Sequence, residues 1–168
     1  GLVDDRWVAH DSPASNARLI RETLLCANSS IVFQPLPTSS QSTEDDARLA
    51  NETFALKPDA ACTAVFGMGK DGHIASLIPG SDGFAAAVHS SDVYVAIHAP
   101  DSSVAAPWPD RISLSRAGFA RAQRHILLVR GDEKRALLER ALEGDDVAEL
   151  PVRLLLQESI LLDVYWCP

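Results

Sequence analysis

Apolar residues fall into two spacings along this chain, and the spacing changes from one segment to the next. Leu19, Ile20, Leu24 and Leu25 recur at the interval of one helix face. Ser12 stands ahead of them as a cap and Pro13 at a first helical position, so a helix is predicted from Pro13 to Cys26. Residues 28–43 carry prolines and many serines; only Ile31-Val32-Phe33 is apolar enough for a short strand, and the stretch reads mostly as loop. Ser42 and Thr43 then precede Glu44-Asp45-Asp46, acids suited to the positive end of a helix. The buried face of that helix would be Ala47, Ala50, Phe54 and Leu56, and its end lies near Lys57-Pro58.

The second spacing is continuous. Ala60-Ala61-Cys62-Thr63-Ala64-Val65-Phe66 has almost no polar alternation, as expected of a strand covered on both faces in a parallel sheet, and it stops at Gly67. Val93–Ile97, Ile112–Leu114, His125–Val129 and Ile160–Trp166 are four further strand candidates, rich in branched and aromatic residues. Between the last two, Asp132-Glu133 open a helix whose stripe is Leu137, Leu138, Ala141 and Leu142 and whose terminator is Gly144, with Lys134, Arg135 and Arg140 on its wet face. Strands alternating with helices predict an α/β fold of three layers, a mostly parallel, Rossmann-like sheet flanked by helices.

With 168 residues, 46% of them hydrophobic and 23% charged, the chain has apolar material for one packed core, and residues 1–168 are expected to form a single domain. Fifteen basic against twenty-three acidic side chains leave a net charge of −8, which disfavours a sequence-independent grip on nucleic acid. Any anionic ligand must then be met by a local basic cluster. Cys26, Cys62 and Cys167 are odd in number and widely spaced, so they read as free thiols rather than a disulfide framework or a zinc site, and no metal is expected. No apolar run reaches the roughly eighteen residues of a membrane span, and the start lacks the layout of a secretory signal. A cytoplasmic protein without membrane or nucleic-acid partners is expected. Gly1–Val8 runs from a short apolar stretch into charge as the tail of a strand would, which suggests a chain that opens mid-fold.

The chemistry concentrates in residues 66–80, Phe-Gly-Met-Gly-Lys-Asp-Gly-His-Ile-Ala-Ser-Leu-Ile-Pro-Gly. The segment follows the buried strand and so lies at the carboxyl edge of the sheet, where open α/β folds place ligands. Gly67, Gly69 and Gly72 would allow positive φ and close approach to a ligand, and their amides could meet an oxygen as negative charge develops on it. Asp71 and His73 flank Gly72, so a carboxylate can orient an imidazole that accepts a proton at neutral pH, a layout suited to base-assisted attack by water. Gly67-x-Gly69-x-x-Gly72 also satisfies the dinucleotide fingerprint, but the following strand ends Ile97-His98-Ala99-Pro100, without the acid that would hold a ribose. A nucleotide phosphate loop needs Ser or Thr after its lysine, and Asp71 follows Lys70 instead.

Taken as one string, Gly67 to Pro79 resembles the signature Gly-x-Gly-x-Asp-Gly-His-x-Ala-Ser-Leu-Phe-Pro of the 6-phosphogluconolactonase family, with Ile78 in place of phenylalanine. Asp4-Asp5-Arg6-Trp7-Val8 resembles that family's Asp-Glu-Arg-Trp-Val, and Asp11-Ser12-Pro13-Ala14-Ser15-Asn16 its Asp-His-Pro-x-Ser-Asn. The likeness continues through Arg111-Ile112-Ser113-Leu114-Ser115, the Gly131–Ala136 stretch and the closing strand with Trp166. Family members carry an amino-terminal strand and a Ser-Gly-Gly phosphate loop that nothing in this chain matches, so the domain is expected to be amino-terminally truncated relative to them.

The resemblance implies hydrolysis of 6-phosphoglucono-1,5-lactone to 6-phosphogluconate in the oxidative pentose phosphate pathway, without metal or organic cofactor. The small-molecule partner would be the phosphosugar lactone, met by a monomer or a weak homo-oligomer. His73 would be the general base and Asp71 its partner. Arg6 and Arg111 would bind the substrate, with Gly67, Gly69 and Gly72 lining it and Asn16 bonding either the loop that carries Arg6 or the sugar itself. Lys70 reads as a solvated loop charge, and His10, His89, His98 and His125 as surface or strand-packing residues. Two alternatives stand beside this reading. A glucosamine-6-phosphate deaminase shares Asp-Gly-His-Ile-Ala but continues Phe-Asn-Glu-Pro, whereas Ser76-Leu77-Ile78-Pro79 stands here. A non-catalytic phosphosugar-binding remnant would keep the fold without turnover.

Overall fold

The computed structural model describes residues 1–28, 30–55, 63–157 and 161–168. Leu56, the expected helix end near Lys57-Pro58, residues Ala60–Cys62 and Ile160 lie outside the described residues. In chain order come β1 (Asp4–Arg6), α1 (Asn16–Ile20, continued by a π turn over Arg21–Leu25), α2 (Thr43–Ala55), β2 (Ala64–Gly67), α3 (Phe84–His89), β3 (Tyr94–His98), β4 (Asp110–Leu114), α4 (Arg116–Phe119), β5 (Arg124–Arg130), α5 (Asp132–Ala141), α6 (Arg153–Gln157) and β6 (Leu161–Cys167). Residues 31–33 form no strand, and Val32 is almost fully exposed.

The fold is α/β and Rossmann-like, and its described strands divide into two sheets. One has the order β2-β5-β6 and is parallel throughout, with Phe66 beside Leu127 and Leu127 beside Val164. The other has the order β1-β4-β3 and is antiparallel throughout. Parallel pairing is therefore confined to half of the strands. Local apolar runs signal burial, and burial does not dictate strand direction. The core lies under both sheets, where Phe66, Ile74, Leu77, Ile97, Ile112, Phe119, Leu127 and Leu154 are all but inaccessible. Phe66 and Phe119 meet edge to face at 5.0 Å. His125, fully buried beside both rings, lies with Nε2 2.9 Å from Phe119 O, so it packs the strand as expected.

Two expected faces are open rather than covered. Val65 on β2 is 47% exposed, and Leu128, on the same face of β5 two residues beyond its register partner Ile126, is 50% exposed, so β2 is covered on one face only. Leu19 and Leu24, the centre of the expected α1 stripe, are more than half exposed, as is Leu142 at the end of α5. The helix also starts later than Pro13. Ser15 caps it through the amides of Ala17 and Arg18, because a carboxylate ten residues earlier in the chain reorganises the turn. Asp5, buried in β1, accepts from Asn16 N at 2.7 Å, Ala17 N at 3.0 Å, Ser15 Oγ at 3.0 Å and the Arg6 amide at 2.9 Å. It fastens the helix start to the sheet. Asp5→Asn puts an NH2 group against donors, and a loss of about 2 kcal/mol is expected in chemical denaturation.

Buried ions recur with full sets of partners. Asp46, in the first turn of α2 as expected, is fully buried and accepts from Trp7 Nε1, Ser40 N and Ser40 Oγ. Arg153 is buried behind α5, donating to Ala141 O, Asp146 O and Glu149 Oε2, and thereby ties α6 to the carboxyl end of α5.

Candidate active site

β2 ends at Gly67 at the carboxyl edge of the parallel sheet, and the loop it releases folds back on itself without a helix before Phe84. A dinucleotide fingerprint requires a helix that starts inside the glycine triple to receive a pyrophosphate. That element is absent here among the described residues. Of the three glycines only Gly72 takes positive φ, at 77°. Gly69 is demanded by crowding instead: a Cβ there would lie 2.2 Å from His73 Nδ1 and 2.6 Å from Asp71 Oδ1. Gly67 has open space where a side chain would stand.

Two of the loop amides are already engaged within the turn rather than free to meet an oxyanion. Gly69 N donates to His73 O at 2.8 Å and Gly72 N to Gly69 O at 3.2 Å. Their role is to shape the turn, and Val152 N, bonded to Gly72 O at 2.9 Å, braces it from the segment before α6.

Within that turn His73 Nδ1 lies 2.6 Å from Asp71 Oδ1, and the His73 amide points at the same oxygen at 3.3 Å. Both side chains are partly exposed, and among the described residues Nε2 of the imidazole has no partner. Burial pushes the Asp71 carboxyl up, but the bond from His73, the positive charge of the ring when protonated and backbone amides outweigh it and hold Asp71 below the usual carboxylate value. An imidazole fixed through Nδ1 by a carboxylate presents Nε2 as a directed base. Asp71 also lines a cavity of about 440 Å3 with Ile78, Pro79, His98, Pro100 and Ser102.

The antiparallel sheet brings up the basic groups. Arg6 and Arg111 face one another across β1 and β4, and Asp4 faces Ser113 two residues along on the same side. Arg6 Nη1 donates to Asn16 Oδ1 at 2.9 Å and to Ala14 O at 3.3 Å, while Asn16 Nδ2 bonds Asp4 O at 3.0 Å. Asn16 thus holds the strand and guanidinium of Arg6. Arg111 is buried rather than surface-solvated, and it reaches the carbonyls of Ala105 and Trp108 at 3.2 and 3.3 Å. Burial and the neighbouring Arg6 lower its pKa, with Asp4 and Asp5 opposing. Ser76, fully buried three residues beyond His73, joins the loop to this sheet through Asp4. Sequence reasoning missed that contact, because only the fold brings residues 4 and 76 together.

Of the remaining candidates, His98 shares the cavity that Asp71 lines. Lys70 is mostly exposed and 3.6 Å from Glu133. His10 Nε2 lies 2.7 Å from Leu36 O, and half-exposed His98 pairs with Asp110 at 2.5 Å. Cys26 and Cys167 are free and exposed, and Cys62 lies outside the described residues. Among the described residues no cluster of potential metal ligands forms and no helix is long and apolar enough to cross a membrane.

A family model described as glucosamine-6-phosphate isomerases/6-phosphogluconolactonase matches residues 1–166. A 6-phosphogluconolactonase of Xylella fastidiosa is 38% identical over 99% of this chain and 70% of its own length, and one of Pseudomonas aeruginosa is 34% identical over 99% and 68%. The crystal structure of a 6-phosphogluconolactonase from Shewanella baltica superposes with a TM-score of 0.89 at 35% identity, covering 98% of this chain and 70% of the other. By a family match over nearly its whole length and by its identity to these relatives, the chain belongs to the glucosamine-6-phosphate isomerase/6-phosphogluconolactonase family.

Proposed function

We propose that this protein is a 6-phosphogluconolactonase, which hydrolyses 6-phosphoglucono-1,5-lactone to 6-phosphogluconate in the oxidative pentose phosphate pathway. The observation that carries the mechanism is the His73–Asp71 pair with Nε2 unengaged. Nε2 takes a proton from water as the water oxygen attacks the lactone carbonyl; the bond from C1 to the ring oxygen then breaks, and the imidazolium returns the proton to that oxygen. Asp71 holds the ring in one orientation and stabilises its charged form. The product carboxylic acid releases one proton to solvent, which is the signal an assay reads.

Arg6 supplies the positive charge for the substrate phosphate. Its Nη1 is held by Asn16 and Ala14, and among the described residues Nη2 and Nε are unengaged, so the fork is oriented yet retains donors. Arg111, with its donors on carbonyls, shapes the loop over residues 104–108 and adds to the local positive field. Gly69 and Gly72 shape the turn. A phosphorylated substrate and free thiols fit a cytoplasmic setting, and the hydrolysis involves no electron transfer.

The test is acid release from the phosphorylated lactone against glucono-1,5-lactone, each corrected for spontaneous opening. Saturable catalysis is expected, with the phosphorylated compound preferred. Arg6→Met is expected to raise KM about tenfold with kcat little changed, the loss of one charge-assisted contact. Acid release no faster than the spontaneous reaction would overturn the assignment, and an unaltered KM in Arg6→Met would remove Arg6 from the phosphate site.

A further inference from the structure

The hydroxyl and the amide of Ser76 are both held by strands of the antiparallel sheet, although its loop is rooted in the parallel one. Its hydroxyl donates to Asp4 Oδ2 at 2.7 Å and its amide to Ser113 Oγ at 3.2 Å. Asp4 and Ser113 are cross-strand partners, so the two bonds grip a single rung of β1 and β4. Between His73 and Ser76 stand Ile74, fully buried, and Ala75, whose φ of 48° places a residue with a side chain in the left-handed region. Such a conformation is uncommon outside glycine and persists where the surroundings over-determine it. Here the turn is closed by Leu77 N bonded to Ile74 O at 2.9 Å, and its far end is the grip on Ser76.

We propose that the Asp4–Ser76 hydrogen bond is a positioning device for the reaction: it locks the left-handed turn at Ala75 and so sets the His73 imidazole against Asp71 and the bound lactone. This inference rests on the reading of His73 as the base. Asp4 and Ser76 act through His73 and need not touch the substrate. Burial holds the Asp4 carboxyl above its usual value, against the Ser76 hydroxyl and the Arg111 charge, so this acceptor sits where water competes poorly for it.

The test uses Ser76→Ala, with Asp4→Leu and Asp4→Asn as a second pair should the first variant fail to fold. Ser76→Ala and Asp4→Leu are expected to lower kcat about tenfold with KM within twofold, and to shift and broaden the 15N signals of the His73 ring. Asp4→Asn keeps an oxygen acceptor for the hydroxyl and is expected to restore kcat to within about threefold of wild type. A folded Ser76→Ala or Asp4→Leu protein with wild-type kcat and unmoved ring signals would overturn the inference, as would Asp4→Asn losing as much as Asp4→Leu. His73→Ala, run alongside, separates the two readings. If it leaves turnover intact the base assignment fails; if it abolishes turnover while Ser76→Ala does not, only the positioning role fails. The ring signals report on the device even where turnover is absent.

Discussion

Replacing His73 with alanine is expected to slow catalysed opening of the phosphorylated lactone by about 10²- to 10⁴-fold, the usual contribution of a positioned general base. Gly69→Ala should cost at least about a hundredfold although it removes no titratable group. The added methyl would stand 2.2 Å from His73 Nδ1 and 2.3 Å from Cε1, closer than atoms can approach, and 2.6 Å from Asp71 Oδ1 on the other side. Both partners of the pair are in the way, so the imidazole must move by about an ångström, a displacement that can cost a hundredfold in a reaction governed by orientation. Gly69 does not have positive φ, so alanine is compatible with its backbone and the variant should melt close to wild type. Acid release above the spontaneous background and a thermal melt measure the two effects. Full activity in His73→Ala would end the mechanism. The acid-side behaviour follows from Asp71, whose carboxyl is held below its usual value: the pair stabilises the folded state above the ordinary carboxylate range, and this is lost as pH falls through the lowered value.

The largest expected loss of stability is at Gly83→Ala, about 2–5 kcal/mol. Gly83 caps α3 with φ at 88°, where a side chain strains the backbone by about 1–2 kcal/mol. Its Cβ would also lie 2.2 Å from Ala96 O, a main-chain atom of β3 that cannot swing aside, and such overpacking adds about 1–3 kcal/mol. Gly80→Ala is the control. Its φ is 73°, yet no atom lies within 4 Å of the added carbon, so only the conformational part should appear. A fall in melting temperature of roughly 4–20 °C for Gly83→Ala is expected at this chain length. Equal melting of the two variants would show that the contact with Ala96 contributes nothing.

Those features of the molecule that depend on neighbours in the chain were legible in its residues. The apolar run that stops at Gly67 locates the carboxyl edge of a sheet, and the placing of Asp71 and His73 on either side of Gly72 predicts a pair, which stands at a separation of 2.6 Å. β3, β4, β5 and α5 fell within a few residues of where their patterns put them. What escaped was set by contacts across the fold. Ser12-Pro13 is a sound helix start by local rules, but Asp5 reaches the amides of Asn16 and Ala17 and moves the start. Asp46 and Arg153 are the residue types expected in water; each is buried because several donors or acceptors converge on it from distant segments. Ser76 belongs to the motif string, yet its partner lies 72 residues earlier. The antiparallel half of the strands was hidden for the same reason, since pairing direction is decided by connections rather than by composition.

The open face of the parallel sheet bears on how this protein behaves in concentrated solution. Val65, Leu128 and Tyr165 share one face of the sheet, spread over β2, β5 and β6, and β2 and β6 are outer strands that each pair on one side only among the described residues. Greasy surface bounded by unpaired strand edges is what colloidal self-association uses. Copies of a chain with a net charge of −8 repel one another over roughly 10 Å in 0.1 M salt, so mutual repulsion, which added electrolyte weakens, guards this seam.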